Sequence, residues 1–411
     1  MDVYLFENSL IIQSNYKAFP GISCIVEVSG TIIFHAMKLV YYCVKHKKSV
    51  FMSYFYKELT TIFIMFLLAS CGTNQKKFSP PTFEKQVKLK HTVIQDTLFL
   101  HPPEAIISFN KYILINVTAE TDGKYLHVYD KQTGEYIGGY ATKGQGPGEI
   151  ATWCECIDYY RKEHIITLLE ANTNQRFIYS VNDILENLLT YESKKNFSRN
   201  NIDNSRGFER LMGIFKISEN LYLSDNRTFP LQNNNQRFAL ITETGERISE
   251  YSRFATDDFW AYGAVSQQIS ISPDRRKMAC ATLYGAVLET FEIGTSVSLI
   301  QEKLFYPIIL GNTKSGLVVP TDETIQGFLD ICTSDEYVFS IFIGSNFIGD
   351  KKPNKKNISV FNWNGDPVVR FETDIDLNRI CYNEDDKMIY AVAITEDYDY
   401  ILVKFDLSEY L

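Results

Sequence analysis

The residues Ile106-Ile107-Ser108-Phe109-Asn110-Lys111-Tyr112-Ile113-Leu114-Ile115 contain two short apolar runs separated by a polar turn. A third run, Tyr125-Leu126-His127-Val128-Tyr129-Asp130, follows and closes with Thr133-Gly134-Glu135. Runs of this length that are rich in β-branched and aromatic residues, with turn residues between them, indicate β-strands. This part of the chain therefore predicts an antiparallel meander.

A similar unit recurs along the chain, with starts near residues 106, 156, 211, 268, 327 and 377. A period of roughly 50–60 residues suits one four-stranded propeller blade with generous loops. We therefore predict an all-β fold, a six-bladed β-propeller over residues 86–411. The alternative is a pair of β-sandwiches, which accounts for the six-fold spacing less naturally.

The sixth unit has only three clear strands, whereas residues 87–94 alternate apolar and polar side chains ahead of the first unit. We expect this segment to pair with the strand near 400–405 and close the ring, because closure removes an open sheet edge. Val181 to Leu189 has apolar residues at a helical period. It predicts a short helix in a connection between blades, capped by Asn182 or Asp183 and followed by a polar loop to about Gly207.

An uncharged, mostly apolar stretch from Thr60 ends in Leu68-Ala69-Ser70-Cys71 and is followed by polar residues. It is shorter than the roughly 20 residues that a membrane span needs and has the length of a signal-peptide core. The ending resembles a bacterial lipobox, in which the Cys thiol is joined to diacylglycerol. We expect a lipoprotein signal peptide over 52–70, lipidation at Cys71 and a tether over 71–85. The alternative is a buried helix end with an incidental Cys.

Residues 1–51 do not fit this scheme, because a lipoprotein signal begins near its own initiator and Met52 is well placed for that role. We expect 1–51 to be a gene-model extension. The alternative is an additional membrane segment, since Gly30 to Val44 forms a second apolar patch.

Five Cys follow Cys71, at 154, 156, 280, 332 and 381. An envelope location permits disulfides, but the odd number leaves at least one thiol unpaired. Cys154 and Cys156 lack the spacing of redox or zinc motifs. Alternate residues of a strand face the same side, so we expect both to be core thiols.

The segment Lys143-Gly144-Gln145-Gly146-Pro147-Gly148-Glu149-Ile150 is the most distinctive motif. It matches neither a dinucleotide-binding nor a P-loop pattern. Three Gly around a Pro indicate a sharp bend with positive φ. We interpret it as the connection from the first blade to the second. The alternative is a ligand loop, in which Gly144, Gly146, Gly148 and Glu149 would border an anion site.

The lipobox, this glycine loop and six loose β units together resemble the TolB-like six-bladed propeller lipoproteins of Gram-negative bacteria. The resemblance covers about 71–411. It implies the fold and an outer-membrane lipoprotein location, and it implies no catalytic residues and no cofactor. Residues 1–51 depart from the pattern.

The net charge of −9 opposes nucleic-acid binding, which needs a basic footprint. We expect a binding or scaffolding module, attached to the membrane through its lipid and with an envelope protein or glycan as partner. One alternative is a hydrolase or lactonase with a channel Ca²⁺, for which Asp158, Asp330 and Asn378 are the candidate ligands. Another is a glycan-binding protein that stacks a sugar on Phe259, Trp260 and Tyr262.

Overall fold

The computed structural model describes residues 2–6, 9–13, 78–98, 101–146, 149–152, 154–170, 175–190, 198–201, 213–225, 237–244, 246–252, 267–312, 318–347 and 354–411. The chain divides into two compact units, Met1–Gln75 and Lys76–Leu411. In the first unit, β1 (Asp2–Phe6) and β2 (Ser9–Gln13) form an antiparallel hairpin. The expectations for the signal peptide, Cys71 and the tether up to residue 77 lie outside the described residues.

The second unit is a six-bladed β-propeller. Five blades contain four consecutive antiparallel strands, and the sixth contains three consecutive strands and a fourth from the N-terminal part of the unit. The first four blades, each given from its inner strand outward, are as follows. Blade one is β5 (Pro103–Phe109), β6 (Tyr112–Thr121), β7 (Lys124–Asp130) and β8 (Tyr136–Thr142). Blade two is β9 (Cys154–Tyr160), β10 (Ile165–Glu170), β11 (Gln175–Ser180) and β12 (Ser198–Asn201). Blade three is β13 (Gly213–Ser218), β14 (Leu221–Asp225), β15 (Phe238–Thr242) and β16 (Arg247–Tyr251). Blade four is β17 (Gln267–Ile271), β18 (Lys277–Thr282), β19 (Ala286–Ile293) and β20 (Val297–Tyr306).

The last two blades follow a small hairpin of β21 (Leu310–Asn312) and β22 (Val318–Pro320). Blade five is β23 (Ile325–Thr333), β24 (Tyr337–Asn346), β25 (Asn357–Asn362) and β26 (Pro367–Thr373). Blade six is β27 (Asp376–Asn383), β28 (Met388–Ile394) and β29 (Tyr400–Asp406). The six starting points expected from the sequence therefore each correspond to an inner strand.

The ring is closed by β4 (Thr92–Leu98), which pairs antiparallel with β29 as the outer strand of blade six. Thr92 is opposite Lys404 and Leu98 is opposite Tyr400. The expected closure is confirmed for this strand. The start of the predicted segment behaves differently, because β3 (Gln86–Leu89) pairs in parallel with β26 of blade five.

Gly134 allows the turn between β7 and β8 to pack closely against the closing strand β4. It lies in the turn between β7 and β8 with φ 75°, and a Cβ there would collide with the backbone carbonyl of Ile94 on β4. Only glycine combines that left-handed backbone with so close an approach.

The N-terminal segment also spans blades four and five. The backbone N–H of Ser79 donates to the carbonyl of Leu304 on β20 at 3.1 Å. Phe83 is buried among Phe305, Phe328 and Phe361 of these two blades. Residues 79–98 therefore join three successive blades at their outer parts.

Apolar side chains fill the space between every pair of neighbouring blades. Each of the six interfaces has its own buried cluster, and the clusters between blades five and six and between blades one and two are large. Phe339, Phe371 and Phe405 are fully buried in the former. Such burial contributes about 25 cal/mol per Å² of apolar area, so these interfaces hold the ring together.

Helix α1 (Val181–Thr190) is confirmed in extent, but its place and cap differ from the expectation. It lies between β11 and β12 inside blade two, not between blades, because β12 forms within the predicted polar loop and pairs with β11. Its cap is Ser180, whose Oγ accepts the backbone N–H of Asp183 at 3.4 Å. No helix among the described residues is long and apolar enough to cross a membrane.

Candidate functional site

The inner strands of the six blades surround a central channel that contains a cavity of about 280 Å³. Its lining includes Asp158, Phe215, Gln267 and Asp330 together with Glu104, Asn116 and Asp225. All blades repeat one strand order, so their inner strands run in the same direction and their inner turns meet at one end of the channel.

Ion pairs between non-adjacent blades span that end. Arg275, in the inner turn of blade four, donates from Nη1 to Asp158 Oδ1 of blade two at 2.7 Å and from Nη2 to the carbonyl of Tyr159. Arg161 of blade two pairs with Glu384 of blade six at 3.8 Å and with Asp385. Because these contacts skip a blade, they span this end of the channel and narrow it.

Arg275 has a strained backbone as well as a buried charge. Its φ is 63°, in the left-handed region that non-glycine residues rarely adopt. The side chains of Arg275 and Asp158 are only 8% and 7% exposed. A strained residue persists where surrounding contacts fix it, and here those contacts are the hydrogen bonds of Arg275 to Asp158 and to the carbonyl of Tyr159.

The carboxylates of Asp158 and Asp330 each form a hydrogen bond that joins an inner strand to the next blade. Asp158 Oδ2 accepts the backbone N–H of Lys216 on β13 at 2.9 Å. Asp330 Oδ2 accepts the backbone N–H of Ile380 on β27 at 2.7 Å. Both residues stand on inner strands, so the acids that sequence reasoning selected as calcium ligands link neighbouring blades.

The third calcium candidate, Asn378, lies on β27 and is not part of the cavity lining. No group of three or more His, Cys, Asp or Glu side chains within the described ranges is arranged to hold a metal ion. The three candidates are thus placed on the inner strands of blades two, five and six without forming a common coordination sphere.

The wall of the cavity contains an unsatisfied amide. Gln267, the first residue of β17, is 8% exposed and lines the cavity. Its Nε2 and Oε1 are both buried and have no hydrogen-bond partner among the described residues. Leaving a buried polar group unpaired costs about 1–3 kcal/mol. Sequence reasoning missed Gln267 because a polar residue at the start of a strand looks like an ordinary turn residue.

The ionised form of the Asp330 carboxyl group is disfavoured in the same cavity. Complete burial raises its pKa to about 6, while Arg379 and the N–H groups of Ile380 and Ile331 act in the opposite direction and Glu104 raises it further. The thiols of Cys332 and Cys381 also lie near this carboxylate, and burial raises the pKa of each, which keeps them protonated. Strongly perturbed acids in clefts are a feature of functional sites.

We expect Asp330→Asn to stabilise the protein at neutral and alkaline pH. A carboxylate with a raised pKa favours the folded state most below its ordinary value of 3.8, and that contribution is lost as the pH rises through 6. The neutral amide avoids this loss, so the free energy of unfolding rises by about 2–3 kcal/mol near pH 8 and is almost unchanged below about pH 4.

Denaturant unfolding of both proteins across this pH range measures the difference. Asp397→Asn is the matched control, because Asp397 is exposed and a surface change is expected to stay within about 0.5 kcal/mol. A gain for Asp330→Asn that does not depend on pH contradicts the assignment.

The glycine loop connects two blades, and a backbone N–H within it donates to the carboxylate of Glu149 from the same loop. Glu149 Oε2 accepts the backbone N–H of Gly146 at 2.8 Å, and the N–H of Gly144 donates to the carbonyl of Ile150 at 3.0 Å. Ile150 is fully buried between blades one and two. The loop therefore carries the chain into blade two.

The expected positive φ is not found at Gly144 or Gly146, and Gly148 lies outside the described residues. The need for glycine has another cause. A Cβ on Gly144 would overlap the carboxylate of Glu149 and displace it.

We expect Gly144→Ala to lower the free energy of unfolding by about 1–3 kcal/mol, because it breaks a charge-assisted hydrogen bond. Gly294→Ala is a suitable control, since a Cβ there meets nothing within 4 Å. Thermal melts with and without phosphate give the comparison. An unchanged melt for Gly144→Ala, with stabilisation of the parent protein by phosphate, supports the ligand-loop alternative instead.

The aromatic residues proposed to stack on a sugar, Phe259, Trp260 and Tyr262, lie outside the described residues. Their segment joins β16 to β17. Cys332 and Cys381 are buried thiols outside any disulfide, and Cys280 is buried where its Sγ accepts a hydrogen bond from Arg237 Nη2 at 3.2 Å. Cys154 and Cys156 lie on strand β9.

The fold defines this protein as a six-bladed β-propeller with ion pairs across one end of its central channel. The chain belongs to the TolB-like 6-blade propeller-like family, whose model matches residues 82–385. No curated protein matches the chain.

Solved structures that resemble this chain have low sequence identity to it. A protein of Bacteroides fragilis NCTC 9343 described as a "putative exported protein" is 13% identical with a TM-score of 0.50, and the match covers 80% of this chain and 98% of that one. The Cps50 (Swd1) β-propeller domain of Myceliophteria thermophila is 12% identical with a TM-score of 0.40, covering 76% of this chain and 99% of that one.

Proposed function

We propose that this protein is a lipid-anchored binding module of the cell envelope that holds a ligand in the open half of its central channel. The observation that carries the proposal is the side-chain amide of Gln267, buried at the cavity wall with both polar atoms unpartnered among the described residues. A ligand that offers a donor and an acceptor satisfies both atoms and recovers the cost of their burial.

The ion pairs across one end of the channel support binding rather than passage. The pairs Arg275–Asp158 and Arg161–Glu384 cross the channel at the inner turns. A ligand therefore enters and leaves through the same mouth, as in a pocket.

Gln267→Leu separates binding from folding. The substitution keeps approximate size and removes both unsatisfied atoms, so the ligand-free protein becomes more stable by about 1–3 kcal/mol while ligand binding is lost. Native mass spectrometry of the full chain purified from envelope membranes shows whether a small molecule remains bound. Gln301→Leu, on the outer strand β20, is the matched control.

The expected result is a bound mass on the parent protein and on Gln301→Leu, and its absence from Gln267→Leu. An equal bound mass on all three proteins, or none on any of them, contradicts the channel as the site.

The envelope location rests on the apolar run that ends at Cys71 and on membership of the TolB-like family. Gly72 follows the lipidated Cys where an aspartate would favour inner-membrane retention, which supports the outer membrane. The partner at the mouth is an envelope protein or a glycan. Intact-mass analysis of the membrane fraction tests the anchor, and the expected result is a lipid-sized increment on a chain that begins at Cys71. An unmodified N-terminus at Met1 or Met52 contradicts it.

A further inference from the structure

A second cavity, of about 550 Å³, lies at the outer part of blade five. We call it the outer groove. Residues 81–83 of the N-terminal segment form one wall, and residues of β26 form another. The ionisable side chains of its described lining are those of Lys356, Arg370 and Glu372. The groove shares no lining residue with the channel cavity, so any ligand it takes binds at a separate place.

Arg370 brings an unpaired positive charge to this groove. It stands on β26 opposite Gln86 of β3 and is half-buried. Its guanidinium has no hydrogen bond and no ion pair with any group of the described residues. Burial lowers the pKa of Arg370, while Glu372 and Tyr306 act in the opposite direction from a distance. A guanidinium that is partly withdrawn from water without a partner gains when an anion enters beside it.

Lys356 supplies a second positive charge at the end of the groove. Its carbonyl accepts the backbone N–H of Thr373 at 3.1 Å, which fixes it next to β26. Its Nζ donates only to the backbone carbonyl of Asp374, at 3.4 Å, and it has no carboxylate partner among the described residues. An ammonium held by a carbonyl alone keeps its full charge available to an anion.

The single acid of the groove has a cation opposite it. Because β3 pairs in parallel with β26, Lys88 is opposite Glu372 just as Gln86 is opposite Arg370. Opposed residues of neighbouring strands project from the same face of the sheet. Lys88 and Glu372 are both exposed, so the lysine can offset the carboxylate. Three cations against one carboxylate leave this part of the surface with an excess of two positive charges.

The arrangement of the two cations favours a phosphate group over a carboxylate. Arg370 approaches the groove from the β26 wall, whereas Lys356 approaches from the end of β25. A phosphate group offers several acceptor oxygens to cations that come from different directions, and a guanidinium binds two of them at once. Pro81 follows Cys71 by ten residues, which span at most about 35 Å. A chain anchored at Cys71 therefore keeps the groove near the lipid headgroups.

We propose that the outer groove binds a phosphate group, held by the guanidinium of Arg370 and the ammonium of Lys356. The site goes beyond the channel function proposed above and uses none of its residues. The phosphate is that of an envelope lipid headgroup or of a free phosphate ion, since both present the same oxygens to the two cations.

Isothermal titration calorimetry of the full chain tests the proposal with two probes, inorganic phosphate and glycerophosphoglycerol, the soluble headgroup of phosphatidylglycerol. We expect saturable binding that Arg370→Gln weakens about tenfold or more, because a charge-assisted hydrogen bond is lost. Lys356→Gln, at an exposed position, should weaken it about two- to fivefold. Arg247→Gln on the outer strand β16 is the matched control, since this arginine is already paired with Glu250 at 2.7 Å.

The relative affinity of the two probes distinguishes the sources. Tighter binding of glycerophosphoglycerol assigns the groove to a lipid headgroup, and tighter binding of inorganic phosphate assigns it to the free ion. Sodium chloride at equal ionic strength controls for screening of surface charge.

No saturable binding of either probe, or binding that Arg370→Gln and Lys356→Gln leave unchanged, overturns the proposal. Thermal melts of both variants show that lost binding is not lost folding. Gln267→Leu should bind both probes as the parent protein does, so failure of the channel function and failure of this site are distinguished. Stabilisation by phosphate that persists in Arg370→Gln arises elsewhere, as at the glycine loop, and also contradicts the outer groove.

Discussion

Replacing Asp158 with alanine is expected to lower the free energy of unfolding by about 3–5 kcal/mol. The substitution leaves the guanidinium of Arg275 buried without its carboxylate and removes the acceptor of the Lys216 backbone N–H. Removing one partner of a buried pair costs more than the pair contributes, because the remaining charge is uncompensated. Chemical denaturation near neutral pH measures the change.

Two further variants make the interpretation specific. Arg161→Ala removes the exposed cross-channel pair with Asp385, whose side chains are 44% and 67% exposed, and should cost at most about 1 kcal/mol. The double variant Asp158→Ala/Arg275→Met should be more stable than Asp158→Ala alone, because no buried charge remains. Equal losses for Asp158→Ala and Arg161→Ala contradict the assignment of a buried cross-channel pair.

Removing the N-terminal strands is expected to abolish the stable monomer. A chain that begins at residue 99 lacks β3 and β4, so the edges of β26 and β29 are exposed as templates for association. It also loses Phe83, Leu89 and Leu98, which are buried between the blades. Losses of about 2–5 kcal/mol for each side chain are together comparable with the 5–15 kcal/mol that stabilises a typical domain.

The control is a chain that begins at residue 76, where the compact propeller unit starts. Size-exclusion chromatography with light scattering should show a monomer for the longer chain and aggregates for the shorter one. A monomeric shorter chain with an unchanged melting temperature contradicts the closure mechanism.

The repeated meander was predictable because strand pattern is local. Alternation and turn residues located six inner strands, and the orphan alternating segment located the closing strand. Two features depended on non-local pairing. β3 joins blade five in parallel, and β12 forms in a stretch that reads as a polar loop. The sequence of β3 predicts a strand but not its partner, and the sequence of β12 is compatible with coil, so the neighbouring strand edge decides both.

The site was predictable in part. Asp158 and Asp330 stood out as acids in otherwise apolar strands, but the sequence did not show that the first faces Arg275 across the channel or that the second lacks a cation. Arg275 and Gln267 carry no motif. Their roles depend on which residues of other blades lie near them in the folded ring. The spacing of residues along the chain does not show this. The glycine loop was interpreted as a bend with positive φ, which Gly144 and Gly146 do not have, and the role of Glu149 required side-chain geometry.

We have proposed that the channel cavity is a ligand site in which the side-chain amide of Gln267 hydrogen-bonds the ligand. A high-resolution crystal structure of the protein purified from its native envelope tests it most directly. We expect non-water electron density within hydrogen-bond distance of both Nε2 and Oε1 of Gln267. Density showing only ordered water at these atoms, or the Gln267 amide paired with protein groups and no ligand in the channel, contradicts it.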